Sequence, residues 1–289
     1  MSASPVSGPR RRYLRVSVRE LIVLVLVIGG WLGWIVRSAR IQREAVAAIQ
    51  NAGGGVSYEW EWSNGNRVPR GKPRAPRWLV DLIGVDYFGH VTVVRLAWPS
   101  TATDAAIFQI GNLTRVQRLE LSGLSIGDVG LARLDGLSKL SELHLGNALF
   151  SDVGLVHLEG LTKLKWLHLG DTRASDAGLA HLRGLTELSI LNLGGSQVTD
   201  SGLVHLNGLS KLSELCLGDT RVSDAGLEHL EGLTKMSALY LFDTSVTDAG
   251  LTHLKRLTNL TKLDLRNTRV TDAGVKDLKR AVPRLNVVR

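Results

Sequence analysis

The most apolar stretch of the chain covers residues 21–36, where no charged or strongly polar side chain interrupts the run. At the α-helical rise these residues span roughly 24 Å, somewhat less than a hydrocarbon core of about 30 Å. Arg19 and Arg37 border the run and can extend their charged ends into the headgroup layer. Trp31 and Trp34 suit the aromatic belt at the far interface. The pattern predicts one membrane-spanning helix.

A cleavable signal peptide is the main alternative, because a basic segment followed by an apolar run is also its signature. A buried core helix is a further alternative. The run is followed by Arg37, Arg40 and Arg43 in place of a small-residue cleavage site, which favours an uncleaved anchor. Five arginines precede the run and three follow it closely. The positive-inside rule therefore predicts a single-pass protein with a cytoplasmic N-terminus and the rest of the chain outside.

Beyond the apolar run, the spacing of Ile41, Ala45, Ala48 and Ile49 continues a helix, and the glycines at 53–55 are expected to end it. Residues 56–63 then alternate, with apolar Val56, Tyr58, Trp60 and Trp62 at every second position. This period of two predicts a half-buried strand.

The segment between Ser63 and Arg77 is rich in proline and basic residues: Arg67, Pro69, Arg70, Lys72, Pro73, Arg74 and Pro76. We interpret it as an extended linker, with attraction to anionic headgroups as the alternative. A short apolar element follows, and we expect it to cap the first repeat of what comes next. It consists of Trp78, Leu79, Leu82, Ile83, Tyr87 and Phe88.

The rest of the chain is a tandem repeat, marked by eight aspartates at intervals of 24 residues: Asp104, Asp128, Asp152, Asp176, Asp200, Asp224, Asp248 and Asp272. The unit reads Leu-x-x-Leu-x-Leu-x-x-Thr-x-Val-Ser/Thr-Asp-Ala-Gly-Leu-x-His-Leu-x-Gly-Leu-Thr-Lys, and its first copy carries one extra residue near Pro99 and Ser100. Self-similarity at a fixed period predicts a stacked solenoid. The chain thus divides into a basic segment 1–20, a transmembrane helix 21–36, a connecting region 37–90, repeats 91–283 and a C-terminal end 284–289.

These repeats resemble the leucine-rich repeat family, and in particular the single-span, membrane-anchored leucine-rich repeat proteins of bacteria, which share the Thr-Asp-Ala-Gly-Leu signature. The chain departs from the commonest family pattern where Asn usually stands, at Thr172, Ser196, Thr220, Thr244 and Thr268. The resemblance implies an α/β solenoid, with a curved parallel sheet and short helices on its convex side. It further implies ligand binding on the concave side and no reaction.

Within one repeat, Leu188, Leu191 and Leu193 are expected to turn into the core from a short parallel strand. The Thr or Ser hydroxyls of the turn are expected to satisfy backbone groups and, repeated in register, to form a ladder in place of the usual Asn. Thr199 and its equivalents Ser175, Ser223, Thr247 and Thr271 are predicted N-caps, each followed by a structural aspartate. We predict a left-handed helix exit at Gly136, Gly160, Gly184, Gly208 and Gly232.

A column of histidines at 157, 181, 205, 229 and 253 lies on the predicted helices. A row of ligands does not converge on a point, so we interpret these histidines as surface hydrogen-bonding residues and predict no metal or cofactor site. The concave columns differ between repeats, as a partner-specific surface would. The side chains assigned to ligand binding are His144, Trp166, His168, Ile190, Asn192, Cys216, Tyr240 and Phe242.

Charge and chemistry narrow the function. Residues 1–80 contain 13 Lys/Arg and four Asp/Glu, whereas the repeats are close to neutral, which disfavours a nucleic-acid partner. Cys216 has no neighbouring histidine to activate it, so a hydrolase is the weakest alternative. A further alternative is an intracellular adaptor similar to the leucine-rich repeat substrate receptors of ubiquitin ligases. Nothing in residues 1–90 resembles the helical docking domain that such receptors require. We therefore predict a membrane-anchored, non-enzymatic binding or scaffolding protein whose partner is a protein or an envelope polymer.

Overall fold

The computed structural model describes residues 17–63, 66–68, 71–96 and 104–289. Arg10, Arg11, Arg12, Arg15 and the extra residue near Pro99 and Ser100 lie outside the described residues. The helices are α1 Val18–Asn51, α2 Arg77–Ile83, α3 Asp104–Ile110, α4 Asp128–Leu131, α5 Asp152–Leu155, α6 Asp176–Leu179, α7 Asp200–Leu203, α8 Asp224–Leu227, α9 Leu251–Leu254 and α10 Asp272–Ala281. The strands are β1 Gly55–Tyr58, β2 Trp62–Ser63, β3 Asn66–Arg67, β4 Val91–Arg95, β5 Arg118–Glu120, β6 Glu142–His144, β7 Trp166–His168, β8 Ile190–Asn192, β9 Glu214–Cys216, β10 Ala238–Tyr240, β11 Lys262–Asp264 and β12 Asn286–Val288.

The repeats stack into a solenoid around one ten-stranded sheet in the order β1-β4-β5-β6-β7-β8-β9-β10-β11-β12. The strands from β4 to β12 pair in parallel, and β1 pairs antiparallel with β4. The short helices α4 to α9 form the other side, as predicted. The segment 284–289 contributes β12, so the C-terminal end extends the sheet by one more strand.

The leucines of the repeat form one continuous aliphatic core. Leu191 of the strand and Leu203, Leu206 and Leu209 of the helical side are fully buried. Each of the strands β5 to β9 carries the alternation of a half-buried, a buried and a half-buried residue, so the strand assignment and its core face are confirmed there.

Aspartates tie consecutive repeats together. The carboxylate of Asp176 accepts the backbone N–H of Thr199 at 2.8 Å and its hydroxyl at 2.6 Å, across the repeat boundary. The same pair of bonds joins Asp128 to Ser151, Asp152 to Ser175, Asp200 to Ser223, Asp224 to Thr247 and Asp248 to Thr271. The structural role predicted for the aspartates is confirmed, and the ladder runs through them.

The Thr hydroxyls of the turn bond to backbone groups, as expected, but the predicted ladder is wrong. Thr172 and Thr220 each donate their hydroxyl to a carbonyl three residues earlier in their own turn, at Leu169 and Leu217, both at 2.6 Å. The hydroxyl closes the turn that follows the strand and does not reach the next repeat.

The predicted left-handed helix exits are also wrong. Within the described repeats, the positive φ angles lie in the turns after strands β5 to β11, at Gly123, Asn147, Asp171, Gly195, Asp219, Asp243 and Asn267. Asn and Asp tolerate this conformation better than other side chains, because their short polar groups bond locally. Glycines such as Gly184 instead stand where an added Cβ would meet open space.

Helix α1 is continuous from the apolar run into the solenoid. Ser17 and Glu20 form a capping box at its start: the Ser17 hydroxyl accepts the Glu20 N–H, and the Glu20 carboxylate accepts the Ser17 N–H. The helix ends at Asn51, and Gly53 follows with a positive φ, so the predicted continuation and stop are confirmed. Within the described ranges, this is the one helix long and apolar enough to cross a bilayer, and its apolar window is not buried against the rest of the chain.

The last third of α1 caps the solenoid. Ala45, Val46, Ile49 and Ala52 belong to the same core cluster as the leucines of the repeats. The segment predicted to be the cap behaves differently, since α2 has no buried residue and Trp78 is 67% exposed. The prediction is therefore corrected: α1 and β1 close the first repeat. The reason is that α1 buries a stripe of apolar side chains against the core, whereas α2 has only seven residues and buries none of them.

The predicted strand over 56–63 breaks after Tyr58. Glu61 donates its N–H to the Tyr58 carbonyl at 2.9 Å, which closes a turn, and the Trp60 ring stacks on the Tyr58 ring at 4.8 Å. The strand register with β4 shifts between Ser57 and Tyr58. The alternating sequence does not reveal this turn, because Tyr58 and Trp60 lie on the same side through ring stacking, as they would in a continuous strand. Beyond it, β2 and β3 pair as a small antiparallel sheet at the start of the predicted linker.

Candidate binding surface

The predicted concave columns are aligned by strand register. Trp166 pairs with Ile190, and His168 with Asn192, in the ladder between β7 and β8. The first column consists of Arg118, Glu142, Trp166, Ile190, Glu214, Ala238 and Lys262. The second consists of Glu120, His144, His168, Asn192, Cys216, Tyr240 and Asp264. At about 4.8 Å per strand, His144 and Tyr240 lie roughly 19 Å apart along the sheet. The predicted site residues therefore form a row along one surface.

The first half of the row is an aromatic and ionic cluster. The rings of His144 and Trp166 meet edge to face at 4.8 Å, and the His144 and His168 rings do so at 6.2 Å. The Arg118 guanidinium lies 6.0 Å from the Trp166 ring centre. Arg118 also pairs with Glu120 at 2.7 Å and with Glu142 at 2.8 Å. Trp166 is thus packed between the His144 ring and the Arg118 guanidinium, which is itself paired with Glu142.

The second half is built around Tyr240 and Phe242. The Lys262 ammonium lies 4.8 Å from the Tyr240 ring centre, and the Arg266 guanidinium 5.5 Å from that of Phe242. Asp264, expected in an exposed column, is in fact buried and accepts Arg266 at 2.7 Å. That hydrogen bond, made by Arg266, lowers the pKa of Asp264. Both aromatic rings thus carry a cation beside them.

Glycines make room for the rings at the end of the strands. A Cβ on Gly218 would collide with the Phe242 ring, and one on Gly146 would lie 2.8 Å from the His168 ring. Each of these rings therefore leans over the backbone of the preceding repeat. The result is a shallow surface on which ring faces are presented and backbone lies close beneath.

The middle of the row is less polar. Ile190 and Cys216 are half-buried, and Asn192 accepts the Gly194 N–H at 2.9 Å through its side-chain oxygen. Burial raises the pKa of the Cys216 thiol, against a smaller opposing effect of the Gly218 and Gly194 N–H groups. The sulfur therefore stays a thiol at neutral pH, which does not suit a nucleophile.

Burial also lowers the pKa of both histidines in the first cluster. For His144 the positive charge of Arg118 adds to the effect, and for His168 the negative charge of Asp171 opposes it. Both rings are neutral at pH 7. The Nε2 atom of His144 is buried and has no hydrogen-bond partner within the described part of the chain.

Comparison with known proteins supports the fold. Internalin C2 from Listeria monocytogenes matches with a TM-score of 0.54 and 22% identity, over 87% of this chain and 95% of that one. Internalins are leucine-rich repeat proteins. The fold is that of the leucine-rich repeat proteins. An internalin (inlF) of the same species aligns over 63% of each chain with a TM-score of 0.46 and 22% identity, so this chain spans less than two thirds of that structure. No family profile and no curated protein matches the chain.

On the helical side of this leucine-rich repeat solenoid, the histidine column makes contacts between repeats. His157 Nδ1 lies 3.1 Å from Asp135, and His253 Nδ1 lies 2.8 Å from Glu231, each 22 residues earlier. His205 instead accepts from Arg183 at 3.0 Å. The predicted surface hydrogen bonding is confirmed, and among the described residues no three His, Cys, Asp or Glu side chains converge on a point.

The charged residues beside the aromatic rings were not among the residues assigned to ligand binding. Arg118, Glu142 and Lys262 occupy the predicted concave columns, so their register placed them there. Arg266 shares a column with Phe242, in the position where four earlier repeats carry Gly146, Gly170, Gly194 and Gly218. The break in this run of four glycines is the sequence signal that would have identified Arg266 beside Phe242.

Proposed function

We propose that the chain is a membrane-anchored leucine-rich repeat binding protein whose concave surface captures a protein or an envelope polymer. The main support for this proposal is the row of aromatic side chains along the sheet. Trp166 and Tyr240 are held on a solvent-facing surface by their cationic neighbours, and aromatic and arginine side chains dominate the binding energy of protein interfaces. The leucine-rich repeat scaffold supplies a rigid support for such a row.

The proposed binding site consists of His144, Trp166, His168, Ile190, Asn192, Cys216, Tyr240 and Phe242. Arg118 and Arg266 extend it, because each lies against one of the rings. The neutral histidines and protonated thiol favour recognition through ring faces and hydrogen bonds.

Anchoring is the second part of the proposal. The apolar run of α1 is exposed along its whole length, with Leu26 69% and Trp34 60% accessible. An exposed apolar helix of this length is stable when lipid surrounds it. An uncleaved anchor is further supported by α1 itself, since its last third completes the core of the solenoid. We place the N-terminus in the cytoplasm and the solenoid outside.

The binding surface is tested by site-specific photocrosslinking in intact cells. A photoreactive phenylalanine at Asn192 is expected to give an adduct that disappears in Trp166→Ala/Tyr240→Ala. The same probe at Glu228, on the convex side, serves as the matched control. Equal adducts from both positions, or adducts unaffected by the double variant, would remove the concave surface from the proposal.

Anchoring is tested separately. The full chain is expected to stay with membranes under alkaline carbonate extraction, and protease added to spheroplasts but not to the cytoplasmic side is expected to digest the repeats. Release of a chain shortened at its N-terminus would instead identify a cleaved signal sequence.

A further inference from the structure

Helix α1 and strand β4 run in the same direction, side by side. At the start of the strand, Val91 donates its N–H to the Gln42 side chain at 3.1 Å, and Gln42 in turn donates to the Gly89 carbonyl at 2.9 Å. At the end of the strand, a Cβ on Gly54 would lie 2.8 Å from the Arg95 carbonyl oxygen. Strand β4 therefore begins beside Gln42, on the side of the apolar run, and ends beside Gly54, just beyond the end of α1.

Because the strands from β4 to β12 are parallel, every repeat enters the sheet on the same side as the apolar run of α1. A pocket of about 420 Å³ marks this proximity directly. It lies between Trp34 and Arg37 of α1 on one side and Asn112 and Arg115, which precede β5, on the other. The solenoid axis, perpendicular to its strands, consequently lies across α1 and not along it.

The two flanks of the solenoid carry opposite charge. We define the strand-entry flank as 111–117, 135–141, 159–165, 183–189, 207–213, 231–237 and 255–261. We define the strand-exit flank as 121–128, 145–152, 169–176, 193–200, 217–224, 241–248 and 265–272. The entry flank contains nine Lys/Arg and four Asp/Glu, and the exit flank four Lys/Arg and ten Asp/Glu. The basic flank is the one on the side of the apolar run.

Eight of the nine cations on the entry flank are exposed. Lys139, Lys163 and Lys165 are exposed and line a shallow groove together with Glu142 and Glu187. Arg115 lies at the end of this row nearest α1. Burial of His90 lowers the pKa of that histidine, and the positive charge of Arg115 lowers it further. Positive side chains near a bilayer surface are attracted to anionic headgroups within about one Debye length.

We propose that the solenoid lies flat on the bilayer that holds α1, with the strand-entry flank against the anionic headgroups of that membrane. This inference rests on the anchoring part of the proposed function. The acidic exit flank then faces away from the membrane. The concave surface stands at right angles to the bilayer, so a ligand approaches along the membrane surface.

The orientation is tested with the full chain in nanodiscs that contain phosphatidylglycerol and an acceptor-labelled headgroup lipid. A donor is placed on a single cysteine in a Cys216→Ser background, at Thr186→Cys or at Gln197→Cys. These two exposed residues precede and follow the same strand, β8. We expect higher energy transfer from position 186, and we expect it to fall at 1 M salt, where the Debye length is about 3 Å.

Charge reversal provides the matched variants. Lys139→Glu/Lys163→Glu/Lys165→Glu on the entry flank is expected to lose the excess transfer at position 186. Arg173→Glu/Arg221→Glu/Arg269→Glu makes the same charge change at exposed residues of the exit flank and is expected to retain it. Replacing phosphatidylglycerol by phosphatidylcholine should act like the first variant.

Equal transfer from the two positions, with α1 still resistant to carbonate extraction, would overturn the orientation and leave the anchor standing. Equal transfer together with loss of soluble polyanion binding in the entry-flank variant would assign the basic flank to an acidic polymer and also overturn it. A chain that fails to float with vesicles would instead refute the anchor itself.

Discussion

The carboxylate of Asp176 accepts both the backbone N–H and the hydroxyl of Thr199, which lies at the start of the next repeat. One aspartate therefore binds the N-cap residue of the helix in the neighbouring repeat and fixes the offset between the two repeats. Since the same pairing recurs at every described boundary from Asp128 to Thr271, it sets the geometry of the whole stack.

Removal of one such carboxylate should destabilise the solenoid locally. We expect Asp176→Ala to lower the free energy of unfolding by about 1–3 kcal/mol, because two donors of Thr199 lose a charged acceptor. Urea denaturation of the full chain in detergent micelles measures this change. Glu228→Ala, at an exposed convex position, is the control and should leave the midpoint unchanged.

The glycines at 154, 178, 202, 226, 250 and 274 each lie against the aspartate of the preceding repeat, and replacing one of them should destabilise the solenoid. An Ala at Gly178 would place its Cβ against the Asp152 carboxylate and the Leu155 side chain, so Gly178→Ala should cost about 1–3 kcal/mol. Gly184→Ala, where a Cβ meets open space, should be neutral or stabilising by up to about 1 kcal/mol. Thermal unfolding of the pair decides the point, and equal losses would contradict this account of the aspartate ladder.

The cap assignment separates two sets of apolar residues. Ile49 is fully buried in α1, and we expect Ile49→Ala to cost about 2–5 kcal/mol by opening a cavity beside the first repeat. Leu82 in α2 is 72% exposed, so Leu82→Ala should have little effect. Amide exchange in β4 is the most direct measurement. Faster exchange in the Leu82 variant than in the Ile49 variant would restore α2 as the cap.

Stability should fall as the solution is acidified from pH 7 to 5. Burial lowers the pKa of His144 and of His168 in the folded state, so the unfolded chain binds more protons in this range. The stability that these two histidines contribute is complete above their pKa in the unfolded chain, about 6.5. It is lost as the pH falls through their lower pKa in the folded protein. His144→Asn/His168→Asn should flatten the dependence of the unfolding midpoint on pH.

The ring contacts that define the binding surface depended on the tertiary structure. Strand register could be inferred from the repeat, and it placed Trp166 beside Ile190 correctly. The edge-to-face contact between His144 and Trp166, and the cations beside Tyr240 and Phe242, follow from rotamers that neighbouring repeats select. A repeat pattern specifies which residues share a column but not how their side chains lean.

The repeat period by itself determined the solenoid, its buried leucines and its concave columns, because each 24-residue unit can bury its apolar face only against a copy of itself. The apolar run likewise determined a long exposed helix. Only the tertiary structure decided that α1 closes the first repeat, that aspartates rather than threonines form the ladder, and that the basic flank lies beside the apolar run. The cap and the position of the basic flank arise from contacts between α1 and the first repeats, whose separation in sequence bears no relation to the 24-residue period. The aspartate ladder does recur with that period, but the choice of aspartate over threonine depends on side-chain geometry that the repeat pattern does not specify.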